Sequence, residues 1–128
     1  MVLDASAVLE VLLRTPPGRE IEERVLGTRT LHAPHLLDIE VVQVIRRFVR
    51  SRAMPADRGR AALEDYADFP IWRHPHDLLL GRIWALRDSF SAYDATYVAL
   101  AELLDVPLLT HDRRLASAAG AHVRVELA

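Results

Sequence analysis

The sequence predicts an α/β domain of three layers, α/β/α, around a short and mostly parallel central sheet. Three observations lead there. Short apolar runs alternate with helix-forming segments along the whole chain. Those runs are apolar on successive residues, as strands covered on both faces require. The 128 residues hold no repeat, low-complexity tract or interdomain linker, so residues 1–128 read as one domain with one sizeable core.

Met1–Leu3 is the first apolar run and meets Asp4. Ala5–Arg14 has helical character, and Thr15-Pro16-Pro17-Gly18 is expected to stop it. Arg19–Leu26 forms a second helix, ended by Gly27. Thr30–Ala33 reads as a strand before Pro34. His35–Arg52 is a long helix, with Leu36, Leu37, Val41, Val44, Ile45 and Phe48 at helical spacing. Met54-Pro55 breaks it, and Pro55 suits a new start. Ala56–Phe69 is the next helix, closed by Pro70. Ile71–Arg73 is a third strand, and Leu78–Asp88 and Ala92–Leu104 are two further helices. Pro107–Thr110 is a strand, Arg114–Ala119 a short helix, and His122–Val125 the last strand.

Composition narrows the function. Apolar residues make up 51% of the chain, which argues against disorder. No stretch approaches a membrane span, and Glu10 and Arg14 interrupt the N-terminal apolar run, so a signal peptide is not expected. Without cysteine there is no disulfide framework, thiol catalysis or cysteine zinc site. A cytoplasmic protein is the expectation. The net charge of −2 does not mark a generally basic nucleic-acid binder. All 16 basic residues are arginine, which coding bias in an Ala/Leu/Arg-rich chain accounts for.

Ligands of parallel sheets bind beyond the carboxyl ends of the strands. Asp4 ends the first strand, and Asp112 lies two residues beyond Thr110. Asp94 opens the helix leading into that same strand, and Glu40 lies early in the long third helix. Singly, each has a simpler explanation. Asp4 or Ser6 can cap the first helix and Asp112 the last. Ser91 and Asp94 fit a capping box. Glu40 can be an ordinary helix-boundary glutamate, at the seam between Leu36, Leu37 and Val44 and the polar Gln43, Arg47 and Arg50. Together the four make a stronger case. Carboxylates gathered at one sheet edge repel each other unless a cation neutralises them. All-oxygen ligation selects hard ions such as Mg²⁺ or Mn²⁺.

Three stretches carry a family likeness: VLDASAVL, PHLLDIEVVQVIRR and SAYDATYVALAELLDVPLLTHDRRLA. With them the chain resembles the PIN-domain ribonucleases, specifically the VapC-like toxins of bacterial type II toxin–antitoxin modules. The likeness covers nearly the whole chain and is most specific in the last stretch. It implies a PIN-like fold and an acidic Mg²⁺ site (Mn²⁺ being the alternative ion) of Asp4, Glu40, Asp94 and Asp112. Ser6 and Thr110 match the family's supporting hydroxyls. It further implies endonucleolytic hydrolysis of RNA to 5′-phosphate and 3′-hydroxyl ends, dimerisation through helices, and neutralisation by a cognate VapB-like antitoxin. The family often has asparagine where this chain has Gln43.

Other candidates are weaker. Arg46, Arg47 and Arg50 follow Glu40 closely and can guide an RNA backbone, as can Arg87. They equally suit a solvated helix face or an antitoxin-binding surface. His74-Pro75-His76 and His111 read as loop residues. Trp72, Trp84, Tyr66 and Phe69 read as core or interface. Two rival classes remain. A haloacid-dehalogenase-type phosphohydrolase needs a second aspartate where Ser6 stands. A non-catalytic regulatory module would use the acids only to hold a structural ion.

Overall fold

A strand of two residues, β1 (Val2–Leu3), lies at the centre of a five-stranded sheet that is parallel throughout. The computed structural model describes residues 1–27 and 30–128. The other strands are β2 (Leu31–Pro34), β3 (Ile71–His74), β4 (Leu108–Thr110) and β5 (Val125–Leu127), in the spatial order β3-β2-β1-β4-β5. The chain therefore builds outward from β1 through β2 to β3, then returns to lay β4 on the other side of β1. That reversal opens a crevice at the carboxyl ends of β1 and β4.

Seven α-helices cover the sheet among the described residues: α1 (Ala5–Leu12), α2 (Pro16–Leu26), α3 (Leu36–Arg50), α4 (Ala56–Ala67), α5 (Leu80–Ala85), α6 (Ala92–Leu104) and α7 (Arg113–Ala119). The pleat divides the core in two. Leu3 and Leu109, paired in register, face one layer with Val8, Ile21, Leu37, Val41 and Ile45. Val2 and Leu108, also paired, face the other with Tyr97, Val98, Leu100 and Leu115. Both faces of the central strands are thus buried, which is why β1 and β4 read as continuous apolar runs. No helix among the described residues is long and apolar enough to cross a membrane.

The structure corrects several boundaries. Thr15-Pro16-Pro17-Gly18 starts α2 rather than merely stopping α1. Thr15 Oγ1 accepts the Gly18 N–H at 3.1 Å, and the two prolines fill first-turn positions whose N–H groups would be unpaired anyway. The last strand lies at Val125–Leu127, not His122–Val125. The expected helix Leu78–Asp88 is a 3-10 turn at Asp77–Leu79 followed by the six-residue α5. Trp72 and Trp84 are exposed (68% and 69%) and so are not core, whereas Tyr66 is buried.

Of His74-Pro75-His76, His74 belongs to a strand, whereas Pro75 and His76 lie in the loop as expected, and both histidines are hydrogen-bonded. His74 ends β3, and its Nε2 lies 2.9 Å from His32 Nδ1. His76 Nε2 accepts the Leu36 N–H at 2.9 Å. The residue at the start of α3, His35, makes no side-chain cap of its own, so the imidazole of His76 replaces it. His76→Ala is expected to cost about 1 kcal/mol, a fall of about 4 °C in Tm by thermal melt. Asp38, in the first turn of α3, accepts from Tyr66 Oη at 2.5 Å and from Arg73 Nε at 2.7 Å, joining α3 to α4 and β3.

Candidate functional site

Asp4 follows β1 directly and caps α1, with Oδ1 accepting the Ala7 N–H at 3.0 Å. Capping does not exhaust it. Ser6 Oγ donates to the same oxygen at 2.7 Å, and Thr110 Oγ1 donates to Oδ2 at 2.6 Å. Each hydroxyl is itself anchored by the turn that leaves β4. Ser6 Oγ accepts the His111 N–H at 2.9 Å, and Thr110 Oγ1 accepts the Asp112 N–H at 3.0 Å. The two hydroxyls thus clamp one carboxylate across the β1–β4 crevice. Three donors occupy three of its roughly four acceptor positions, which leaves one on Oδ2.

Asp4 is buried, and desolvation pushes its pKa up to about 6. The Thr110, Ala7 and Ser6 hydrogen bonds oppose that rise, and the charge of Asp112 adds to it. Asp112 caps α7, its Oδ1 accepting the N–H groups of Arg114 at 2.8 Å and Leu115 at 3.1 Å. Asp94 sits in the first turn of α6, half-buried. Its pKa is raised by desolvation, opposed by Arg114 and reinforced by the charge of Asp112. Glu40 lies in α3, half-buried. Its pKa too is raised, first by desolvation and then by Asp94, against a hydrogen bond from Tyr97 Oη to Oε1 at 2.5 Å.

The four carboxylates from four elements therefore form one electrostatic chain, Asp4 to Asp112 to Asp94 to Glu40, at the carboxyl edge of the sheet. Counter-donors stand in the cluster. Arg114 Nη2 lies 3.2 Å from Asp94 Oδ2 and 3.9 Å from Asp112 Oδ2, and Tyr97 holds Glu40. So held, no three acidic or histidine side chains among the described residues converge as a finished cage for one ion. The donor set still suits a hard divalent cation. It is all oxygen, it is mutually repelling, and only a flexible, exposed arginine bridges Asp94 and Asp112.

Sequence reasoning missed Tyr97 and Arg114 as partners of the acids. Nothing in the spacing of Tyr97 along α6 points to Glu40, 57 residues away. The candidate arginines separate in space. Arg47 lines a cavity of about 360 Å³ that also holds Glu40. Arg46 and Arg50 line a different groove, between α3 and α4, with Val42, Ile45 and Val49. Arg87 stacks on the Trp84 ring at 4.7 Å and donates to the Trp84 carbonyl at 3.0 Å. His111 Nδ1 pairs with the Ala128 carbonyl, so its ring is engaged away from the acids. A cavity of about 590 Å³ lies at the opposite, amino end of the sheet, beside Val106 and Arg124.

The PIN domain family model matches residues 1–121. Ribonuclease VapC12 of Mycobacterium tuberculosis is 39% identical over 127 residues, covering 99% of this chain and 98% of that protein. Ribonuclease VapC1 of the same species is 41% identical over 127 residues, covering 98% and 96%. Among solved structures, VapBC2 from Rickettsia felis bound to a promoter DNA fragment gives a TM-score of 0.72 at 10% identity, covering 98% and 96% of the two chains. FitAcB from Neisseria gonorrhoeae gives 0.70 at 16% identity, covering 97% and 94%.

Proposed function

Since the chain belongs to the PIN domain family, we infer that it is a divalent-metal-dependent endoribonuclease and the toxin of a toxin–antitoxin pair. One observation carries the reading. Four carboxylates lie within electrostatic reach, each of the next, along the carboxyl edge of a parallel sheet, with Asp4 held there by Ser6 and Thr110. Identity of about 40% to named ribonucleases over nearly the full chain supports it.

Asp4, Glu40, Asp94 and Asp112 would hold Mg²⁺, with Mn²⁺ as a substitute. When bound, such an ion lowers the pKa of a water and offsets the charge of an in-line displacement at phosphorus. The protein supplies position. Ser6 and Thr110 keep the Asp4 carboxylate from rotating, and Tyr97 fixes one oxygen of Glu40. One of the acids would accept the proton of the attacking water. Arg114 must leave Asp94 for a cation to enter, which frees its guanidinium for an RNA phosphate. Arg114→Gln is therefore expected to bind Mn²⁺ about two- to fivefold more tightly in an EPR titration.

The groove of Arg46 and Arg50, apolar at its floor and basic at its rim, suits an acidic amphipathic segment of the antitoxin. Exposed Leu78, Leu103 and Trp84 support self-association through the α5–α6 side.

The test is chelation. Purified, antitoxin-free protein should cut RNA with Mg²⁺ or Mn²⁺ and stop on EDTA, leaving 5′-phosphate ends in a ligation assay. Release of inorganic phosphate from small esters without RNA cleavage would favour a phosphohydrolase instead.

A further inference from the structure

The 360 Å³ cavity beside Glu40 belongs to no role described so far. Its walls are unusual for a surface next to a carboxylate cluster. Tyr93 is 62% exposed and Ile39 is 69% exposed, and Leu36 adds a partly buried apolar side. Each of the two large exposed side chains neighbours an acid of the centre in sequence: Tyr93 precedes Asp94 and Ile39 precedes Glu40. Both stand on helices. Tyr93 lies in the first turn of α6, where Ser91 Oγ accepts the Asp94 N–H at 3.1 Å and fixes the turn. Ile39 begins a row on α3 at four-residue spacing, Ile39, Gln43 and Arg47, which all line the cavity. The row therefore runs apolar, amide, cation, advancing about 6 Å at each step along the helix.

We propose that this cavity is a nucleobase subsite, holding a base of single-stranded RNA next to the phosphodiester cut at the acid cluster. The proposal rests on the ribonuclease reading. In it the Tyr93 ring stacks on the base, and Ile39 and Leu36 cover the other side. The Gln43 amide, which can both donate and accept, meets the base edge, and Arg47 takes a backbone phosphate beyond it. RNA fits this order of surfaces. Single strands are recognised through unstacked bases on aromatic rings, with cations along the backbone. The cavity shares Glu40 with the acid cluster, and Ala5 and Tyr93 in its lining are the chain neighbours of Asp4 and Asp94. An acidic peptide would meet the carboxylates of Glu40 and its neighbours, which argues for a base instead. Gln43 then acts as the reader of the base edge.

The test uses the full chain and a fluescently labelled single-stranded oligoribonucleotide that the wild type cuts. An abasic nucleotide is placed in turn on each side of the cut, and KM and kcat are measured for wild type, Tyr93→Ala and Tyr93→Phe. For one of the two abasic positions, wild type is expected to lose about 10-fold, carried by KM. Tyr93→Ala loses a similar factor on the intact oligonucleotide and nothing further on that abasic one. Tyr93→Phe keeps the stacking ring and the affinity. Equal losses for Tyr93→Ala on intact and abasic RNA would overturn the subsite, as would no abasic effect in wild type. So would a Tyr93→Ala protein that cuts as well as wild type but no longer self-associates, since a second copy would then be the occupant. Wild type that cuts no RNA with either metal overturns the ribonuclease reading, and the subsite with it. Melting curves confirm folding of the variants, and the abasic arm in wild type stands without them.

Discussion

Replacing Asp4 by asparagine is expected to lower RNA cleavage by about 100-fold or more and, in metal-free buffer at pH 8, to make the protein more stable. The first effect follows from removing a charged ligand oxygen at the best-anchored position of the proposed metal centre. The second follows from its burial. The pKa of Asp4 is raised from 3.8 to about 6 by desolvation, so the folded state prefers the protonated form. The stability that a neutral Asp4 contributes is fully present below about pH 4 and is lost as pH rises through 6. That rise corresponds to about 3 kcal/mol of linkage. Asparagine escapes it, because it carries no charge at any pH. Its amide nitrogen cannot accept the Thr110 hydroxyl, which returns roughly 1 kcal/mol of the gain. A net increase of about 2 kcal/mol at pH 8, shrinking as pH falls through 6 and reversing to a deficit of about 1 kcal/mol below pH 4, is the expected pattern in denaturant titrations with EDTA present. Adding Mn²⁺ at pH 8 should narrow the gap by stabilising wild type, since a cation takes the charged form. A variant as stable as wild type at every pH would show that Asp4 is not held against its own charge.

Gly18→Ala should be the most destabilising single-methyl change in the chain. A Cβ at Gly18 would stand 2.0 Å from the Glu10 carbonyl oxygen and 2.9 Å from the Val11 nitrogen. Both are backbone atoms of α1, and no rotamer change can move them. Relief requires α2 to back away from α1, disturbing the layer that holds Leu12 and Ile21. The cost is about 3 kcal/mol or more, a drop of about 10 °C in Tm. Gly81→Ala is the matched control. Nothing lies within 4 Å of its Cβ, and alanine favours the helix, so its Tm should hold or rise slightly.

Much of this architecture is legible in the residues. The runs around Leu3 and Leu109 are apolar on both faces because both faces are covered, and that pattern alone announces a buried parallel sheet. The four acids were legible for a related reason. Asp4 and Asp112 follow strands, and Asp94 and Glu40 sit where a helix turns from core to cleft. What escaped depends on contacts between distant segments. Tyr97 meets Glu40 across 57 positions, and His76 caps α3 across 40. No local spacing encodes either. Thr15-Pro16-Pro17-Gly18 was ambiguous because proline ends one helix and begins the next with equal ease. The last strand slipped because Val123, Val125 and Leu127 alternate evenly, and an edge strand has a neighbour on one side only to choose the register. The spacing along α3 puts Arg47 seven residues from Glu40 and so on its face, but that the two share a cavity depends on where Ala5 and Tyr93 of other helices come to lie.

The order in which the sheet is laid down carries a consequence for the life of the chain. Asp4 emerges from the ribosome first, yet its partner hydroxyl on Thr110 follows 106 residues later. Until β4 lies beside β1, the carboxylate has its local Ser6 and Ala7 donors but lacks the Thr110 half of its clamp. The geometry of the acidic edge is therefore completed late in folding, since its clamp joins two strands that lie far apart in the chain.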